Sequence, residues 1–309
     1  MLMLLSLVWM AAATAVTKNG FQLQPGLLKP AQIRSGGPPK DGIPAINRPQ
    51  FVRANDVDFL APEDRVLGLD LDGVPRAYAV KILDWHEVVN DWTRPSRVVV
   101  TYCPLCGSGM AFRVDDDRFG VSGLLYNSDV LLYDLATESL WSQILGKAVT
   151  GDRMGTELTQ VPLVHTSWKQ WVKRHPGTWA LSTDTGYRSA TNSSDGGYRR
   201  SAQYVAYERS RSLWQPVAHR DRRFHPKEWV LGLELAGVFK AYPFSVLDEA
   251  QTPLLDLVAG RQVKIHFDDN TAWAEDRDGA LLPAVRMFWF AWYAFHPDTS
   301  VYVRERQTP

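Results

Sequence analysis

The chain has 309 residues, of which 45% are hydrophobic and 22% are charged, proportions that are typical of folded proteins and exclude a disordered one. Lysine plus arginine number 34, and aspartate plus glutamate also number 34, so the net charge favours no nucleic-acid partner. The length is sufficient for two domains. We therefore expect a folded protein whose partner is a small molecule or a metal donor.

Residues 1–15 form an apolar run that ends in small residues. Ala13-Thr14-Ala15 fits the small-x-small pattern of a secretory cleavage site, although no basic residue precedes Leu2. The run is shorter than the roughly 20 apolar residues of a membrane-spanning helix, and no later segment is apolar enough to cross a membrane. We predict a signal peptide over residues 1–15 and an extracytoplasmic location, periplasmic or secreted, with an uncleaved anchor as the alternative.

The next segment, residues 16–55, contains many glycines and prolines and little periodicity, which predicts an extended arm on the surface. Residues 66–74 then alternate as two strands around an Asp72-Gly73 hairpin turn. Helical spacing occurs over residues 77–90, 166–175, 241–249 and 285–295. Because these runs are few and short, we expect strands to outnumber helices.

The only two cysteines of the chain, Cys103 and Cys106, follow a β-branched run at 98–101. The run predicts a strand, and Cys-Pro-Leu-Cys-Gly predicts a tight turn because proline presets one dihedral angle and glycine adopts left-handed conformations. The two sulfurs then lie on one side of a rigid loop. Such a pair suits a metal ion, a redox couple or a short structural disulfide. His86 ends the preceding helical run, and a short turn at 92–97 would bring it to the sulfurs, so Cys103, Cys106 and His86 are the predicted metal ligands.

Four further residues are candidates to support this site. Glu87 follows His86, but the second histidine of a His-Glu-x-x-His motif is absent, and a capping or surface role is favoured. Asn127 and Asp129 belong to a turn before a predicted strand at 130–133, where turn chemistry explains both residues. Their alternative role is to line the cysteine pocket, and Met110 offers a further sulfur ligand.

A stretch of the first half returns in the second half. Residues 62–84 and 226–248 align without a gap and share 12 identities in 23 positions. A Trp-x-x-Trp helix followed by His-Pro also occurs twice, at 168–176 and 289–297. We predict an α+β, strand-rich fold with two internally duplicated lobes of mainly antiparallel sheet, each with a Trp-bearing helix. The predicted domains are a first lobe with the Cys-x-x-Cys site at 56–182, a linker at 183–224 and a shortened second lobe at 225–305.

The duplication also serves as an internal control on the candidate site. The alignment places His86, Cys103 and Cys106 opposite Ala250, Phe267 and Asn270. The apolar and glycine residues that build the strands occur in both copies, whereas the candidate ligand residues occur only in the first. This pattern indicates one site, in the first half of the chain.

Several of these stretches resemble one known family. They are Val99-Val100-Thr101-Tyr102-Cys103-Pro104-Leu105-Cys106-Gly107, His86-Glu87-Val88-Val89-Asn90-Asp91, Leu140-Trp141-Ser142-Gln143 and Phe290-Ala291-Trp292. They are similar to the exported prokaryotic family known as domain of unknown function 3179. The resemblance implies an exported protein with a duplicated domain and implies no established activity.

The leading functional hypothesis is an exported metal-binding protein or metalloenzyme that uses Cys103, Cys106 and His86. Thiolate and imidazole ligands suit copper or zinc, and the Irving–Williams order favours copper wherever it is available. One alternative is a thiol–disulfide redox or structural-disulfide protein. A further alternative is an extracytoplasmic ligand- or sugar-binding module that uses surface tryptophans.

Overall fold

A computed structural model describes residues 16–187 and 197–304 of the chain. The chain is strand-rich, with 40% strand and 14% helix, as the sequence predicts. The predicted signal peptide, residues 1–15, lies outside the described residues. Each predicted helix is shorter than its periodic run, because a strand precedes it. The described α-helices are α1 (Val80–His86), α2 (Trp168–Arg174), α3 (Ala202–Arg209), α4 (Phe244–Leu247) and α5 (Trp289–Phe295), and 3-10 turns lie at Pro30–Gln32 and Ala54–Asp56.

The described strands are mostly short and joined by tight turns. In chain order they are β1 (Thr17–Lys18), β2 (Phe21–Gln22), β3 (Arg34–Ser35), β4 (Phe51–Arg53), β5 (Arg65–Leu71), β6 (Val74–Ala79), β7 (Val88–Trp92), β8 (Arg97–Cys103), β9 (Ser108–Val114), β10 (Phe119–Tyr126), β11 (Asp129–Asp134), β12 (Leu140–Ser142), β13 (Lys147–Ala148), β14 (Thr159–Val161), β15 (Val164–Ser167), β16 (Trp179–Leu181), β17 (Trp229–Leu235), β18 (Val238–Pro243), β19 (Leu254–Val258), β20 (Arg261–Asp268), β21 (Thr271–Asp276), β22 (Val285–Phe288) and β23 (Ser300–Val301).

Apart from the β1–β2 ribbon, these strands form five small, mainly antiparallel sheets arranged as a five-bladed propeller. Blade 1 has the strand order β13-β12-β11-β10-β3, and blade 2 has β14-β9-β8-β7. Blade 3 is β15-β5-β6-β16-β4, blade 4 is β19-β20-β21, and blade 5 is β22-β17-β18-β23. Two pairings are parallel, β6 with β16 and β18 with β23.

The prediction of two lobes is wrong, because the blades share cores across the two halves of the chain. Blades 2 and 3 enclose one apolar cluster, and blades 4 and 5 enclose another. A third cluster joins blades 1, 2 and 5, and its members include Val99, Trp141 and Phe288. Blades 3 and 4 meet at Thr166 and Thr271, whose hydroxyl oxygens lie 2.8 Å apart. Burying these faces together removes more apolar surface from water than two separate lobes would.

Blades 3 and 5 nevertheless have matching strand registers. Val66 pairs with Ala79, and Val230 pairs with Pro243, so both members of the second pair lie 164 residues later. β15 and α2 precede β16 in blade 3 as β22 and α5 precede β23 in blade 5. The predicted hairpin at Asp72-Gly73 is also present, with left-handed φ angles of 55° and 80°.

A glycine in each of these blades allows a tryptophan to lie directly on the sheet. A Cβ at Gly68 would lie 2.2 Å from the ring of Trp171, and a Cβ at Gly232 would lie 2.2 Å from the ring of Trp292. Each indole donates a hydrogen bond of 2.8 Å to a threonine before the last strand of its blade. The Trp-bearing helices therefore dock on blades 3 and 5 in the same way.

Two predicted connecting regions contain ordered contacts. The segment 16–55 supplies β3 to blade 1 and β4 to blade 3, and it buries Phe21, Leu23 and Ile33 against blade 1. The segment 183–224 contains α3, whose Tyr207 is buried. Among the described residues, no helix is long and apolar enough to span a membrane.

Candidate metal centre

The turn between β8 and β9 holds both cysteines. Cys103 ends β8 and pairs with Ser108 at the start of β9, which leaves four residues for the turn. Gly107 closes the turn with a φ of 66°, and a Cβ there would lie 2.6 Å from the ring of Trp229. Only glycine combines this left-handed conformation with so close an approach. Cys106 is thereby held against the body of the protein.

Both thiols are free, buried and directed at the same carbonyl oxygen. Cys103 is 1% exposed and Cys106 is 0% exposed. The Cys106 and Cys103 thiols donate to the carbonyl oxygen of Ser128, at 3.4 Å and 3.7 Å respectively. Ser128 belongs to the two-residue turn between β10 and β11, so blade 1 meets the cysteine turn of blade 2 here.

Asp129 completes a cluster of three ligand-bearing side chains. It begins β11 and is 0% exposed. Its Oδ2 accepts a hydrogen bond of 3.0 Å from the amide of Ile144, while its Oδ1 has no partner among the described residues. One ligand atom each from Cys103, Cys106 and Asp129 lie within 4.8 Å of one another. Two sulfurs and one carboxylate oxygen can therefore reach a common ion after small rotations.

Burial disfavours the charged forms of these three groups, because it removes them from water. It raises the pKa of Asp129 to about 7, against the lowering effect of the Ile144 and Val130 amides and of the two nearby thiols. Burial also raises the pKa of Cys103. The pKa of Cys106 is raised by burial and by the neighbouring thiol of Cys103. A cation at the centre would favour the charged forms of all three groups. Binding of a metal ion at this cluster would therefore release protons.

Glu87 lies close to this cluster but outside the ligand set. It follows α1 in a left-handed conformation, with a φ of 56°, and is buried rather than on the surface. Burial, and then the charges of Asp84 and Asp129, raise its pKa to about 8. Its carbonyl oxygen accepts a hydrogen bond of 2.8 Å from the amide of Tyr102, which joins the end of α1 to the cysteine strand.

The structure does not bring His86 into this cluster. Nδ1 of His86 lies 2.7 Å from the carbonyl oxygen of Pro44, and Nε2 lies 2.7 Å from the hydroxyl oxygen of Tyr198. Both ring nitrogens thus have protein partners, and the cluster found among the described residues consists of Cys103, Cys106 and Asp129. The helix end approaches β8 as predicted, but the carboxylate comes from a different blade.

The other two supporting candidates have structural contacts. Nδ2 of Asn127 donates to the carbonyl oxygen of Ala294 at 3.1 Å, and its Oδ1 accepts from the amide of Ala218 at 2.8 Å. Asn127 therefore fastens the turn of blade 1 to the second half of the chain. Met110 is buried in the apolar cluster shared by blades 1, 2 and 5.

Sequence reasoning missed two residues near the cluster, Tyr207 in α3 and Lys227 in the turn before β17. Tyr207 is buried, and burial, followed by the charges of Cys106 and Cys103, raises its pKa. Nζ of Lys227 lies 3.7 Å from the centre of the Tyr207 ring, and burial lowers the pKa of Lys227 to about 8. The tyrosines at 204 and 207, one helical turn apart, were the available signal for a helix with one partly buried face.

Together these features define a strand-rich five-bladed propeller protein with a buried dithiol–carboxylate cluster. The family model described as protein of unknown function (DUF3179) matches residues 40–281. The chain therefore belongs to this family, as the sequence motifs predict. No curated protein and no solved structure matches the chain.

Proposed function

We propose that this protein binds a metal ion through Cys103, Cys106 and Asp129. The supporting observation is the convergence of two free thiols and a buried carboxylate whose Oδ1 lacks a hydrogen-bond partner among the described residues. Buried acidic groups without partners are costly, whereas a bound cation would compensate them. A metal site is therefore a physical reason for placing two thiols beside a buried carboxyl group.

Zinc fits this ligand set better than copper. Zinc accepts cysteine sulfur and carboxylate oxygen together, with bond lengths of about 2.3 Å and about 2.0–2.2 Å. Cuprous copper prefers soft sulfur ligands, and a carboxylate is a hard one. Copper remains the competing ion because the Irving–Williams order gives Cu²⁺ the higher affinity for most sites.

Three protein ligands leave a fourth coordination position, which is the arrangement of catalytic zinc sites. Glu87 is a buried carboxyl group whose charge acts on Cys103. In a metalloenzyme it would be suited to accept a proton from a metal-bound water or substrate. The metalloenzyme hypothesis thus assigns ligands to Cys103, Cys106 and Asp129 and a proton-transfer role to Glu87.

Equilibrium dialysis of reduced, metal-free protein against zinc and copper, followed by elemental analysis, tests the proposal. One zinc ion per chain should bind, and Asp129→Asn should weaken binding at least 10-fold. Asp134→Asn is the matched control, since Asp134 is a buried aspartate on the same strand whose carboxylate accepts hydrogen bonds from Thr137 and Trp141. His86→Gln should retain zinc binding. This result would distinguish the ligand set with Asp129 from the ligand set with His86.

Failure of the wild-type protein to bind zinc or copper would overturn the proposal. Equal loss in Asp129→Asn and Asp134→Asn would attribute the effect to damage of blade 1. Loss in His86→Gln alone would restore histidine to the ligand set.

A second candidate function is thiol–disulfide exchange, which the proximity of the two free thiols favours. Reactive cysteines, however, are partly exposed and have a lowered pKa. Here burial raises the pKa of both thiols. Rapid, reversible oxidation of the pair by a model disulfide, in protein that binds no metal, would favour this function over the metal site.

We also propose that the protein acts outside the cytoplasm. The support is the apolar run at residues 1–15 with its Ala13-Thr14-Ala15 end. N-terminal sequencing of protein from its native host should find a new terminus near residue 16. An intact Met1 on cytoplasmic protein would contradict export with cleavage.

A further inference from the structure

A second polar cluster lies where blades 2, 3 and 5 meet, on the opposite face of β8 from the thiols. The rings of Tyr102 and His165 are 6.1 Å apart, and those of His165 and Trp229 are 5.9 Å apart. The guanidinium carbons of Arg286 and Arg65 lie 4.2 Å and 5.3 Å from the centre of the Trp229 ring. These five side chains come from β8, β15, β17, β22 and β5, and we call them the central cluster.

The polar atoms of the central cluster are unusually short of partners. The Tyr102 hydroxyl, both ring nitrogens of His165 and Nε of Arg286 are buried and have no hydrogen-bond partner among the described residues. Arg286 uses Nη1 to donate to the carbonyl oxygen of Asn270 at 2.9 Å, which fixes its side chain in place. Each buried polar group without a partner destabilises the folded state. Several such groups around one point indicate a binding site for a ligand rather than packing.

Positive charge exceeds negative charge around this point. Glu208 accepts from Arg65 at 2.7 Å and from Arg200 at 2.6 Å, and Asp84 accepts from Arg200 at 2.5 Å. With Arg286, three guanidinium groups thus face two carboxylates. Arg286 forms no ion pair with a described carboxylate, and it is the most buried of the three arginines, at 8% exposed.

The cluster is in contact with solvent on one side. Trp229 is partly exposed, and the side chain of Arg65 is 17% exposed. Glu208 and Arg200, both 21% exposed, lie on this side as well. The Arg65–Glu208 pair is therefore the solvent-exposed edge of the cluster, at which a small solute would have to enter.

We propose that the central cluster binds a small carboxylate, held by Arg286, His165 and Tyr102 against the indole of Trp229. The planar guanidinium fork matches a carboxylate, and a single negative charge balances the single surplus arginine. The phenol O–H and an imidazole N–H supply further donors for its oxygens. This site is distinct from the metal centre, because successive residues of β8 direct Tyr102 and Cys103 to opposite faces of the sheet.

Thermal unfolding of the full chain in sodium acetate and in sodium chloride of equal ionic strength tests this site, with inorganic phosphate as a separate arm. Acetate at about ten times its Kd should raise Tm by about 2–5 °C over chloride. Arg286→Met should abolish the rise. Arg277→Met, at an arginine whose side chain is 76% exposed, should preserve it.

Tyr102→Phe gives a readout that a structural role would not produce. Because the Tyr102 hydroxyl has no partner among the described residues, its removal should leave Tm in chloride unchanged or raised. The same variant should weaken acetate binding about 10-fold. Arg286→Met should likewise be no less stable than wild type in chloride, since a buried charge without a carboxylate partner is removed.

A wild-type protein whose Tm does not respond to acetate, or an Arg286→Met variant that retains the response, would overturn the inference. A response to phosphate without one to acetate would overturn the assignment to a carboxylate. Repeating the acetate titration with Cys103→Ser/Cys106→Ser protein should give the same rise. Loss of the response in that variant would overturn the independence of the two sites.

Discussion

Blades 2 and 4 are built on the same hairpin but differ in chemistry. Cys103 pairs with Ser108 in blade 2, and Phe267 pairs with Ala272 in blade 4, where both residues lie 164 positions later. The two blades differ in their turns: blade 2 turns in four residues that follow Cys103 and include Cys106, whereas blade 4 continues to an Asp268–Thr271 pair and turns in two residues. The two blades therefore share a strand register, and only the blade 2 hairpin carries cysteines.

The larger difference between the two turns lies in blade 1, which packs against the turn of blade 2. Blade 1 is formed mainly by β10–β13, which lie between β9 and β14 in the first half of the chain. In the second half, β21 is followed directly by β22, so no corresponding blade exists among the described residues. Blade 1 supplies Asp129 and the Ser128 carbonyl to the thiols. The cysteine turn of blade 2 and the neighbouring blade 1 together form the candidate metal centre.

The largest expected effect is the loss of stability on metal removal, which should depend on the cysteine turn of blade 2 and not on the turn of blade 4. Zinc at about 1,000 times its Kd should stabilise the folded protein by about 4 kcal/mol, and a chelator should remove this gain. Cys106→Ser should eliminate the zinc-dependent gain, since only a deprotonated sulfur ligand supplies it. Urea unfolding with and without zinc measures the effect. An undiminished gain in Cys106→Ser would place the metal elsewhere.

The next effect compares glycines in the two blades. Gly107→Ala should cost about 3 kcal/mol, because a left-handed alanine is strained and its Cβ would overlap Trp229. Gly260→Ala, in the β19–β20 turn with a φ of 71° and open space around it, should cost only about 1 kcal/mol. Urea unfolding of both variants checks the difference, and equal losses would show that the contact with Trp229 is unimportant.

A smaller, pH-dependent effect compares the histidines that end α5 and α2. Burial lowers the pKa of His296 to about 4, so between pH 6.5 and 4 the unfolded chain binds the proton more readily. Above pH 6.5 the histidine is neutral in both the folded and the unfolded state and costs no stability. Below pH 6.5 the free energy of unfolding should decrease, by about 2 kcal/mol at pH 5. Burial also lowers the pKa of His175, but this residue is more exposed, and its loss should be smaller.

The pH dependence of urea unfolding for His296→Gln and His175→Gln measures these contributions. His296→Gln should flatten the fall between pH 6.5 and 5 more than His175→Gln does. A larger effect of His175→Gln than of His296→Gln would contradict the deeper burial of His296.

The smallest expected effect is at Asn270, the counterpart of Cys106. Asn270 has a left-handed φ of 56°. Its carbonyl oxygen accepts a hydrogen bond from Arg286, and its side chain makes none with the described residues. Asn270→Gly should therefore change the free energy of unfolding by less than about 0.5 kcal/mol and leave zinc binding intact. A loss above about 1 kcal/mol, measured by urea unfolding, would show a hidden role for the side chain.

The sequence alone determined the local features of this protein. Alternating apolar residues around Asp72-Gly73 specify a hairpin, and the Cys-Pro-Leu-Cys-Gly order specifies the turn that holds both thiols. The family membership and the high strand content were also predictable. Each of these depends on residues within a few positions of one another, where steric limits on the backbone are decisive.

Only the tertiary structure decided how these parts meet. Asp129 was explained by turn chemistry, and its proximity to Cys103 depends on how blade 1 packs against blade 2. His86 is near in sequence, yet its ring nitrogens contact Pro44 and Tyr198, in segments predicted to be an arm and a linker. The five-bladed arrangement arises because apolar faces from both halves of the chain are buried together. Hydrophobic burial is not directional, so sequence periodicity predicts which faces are buried but not which partner covers them.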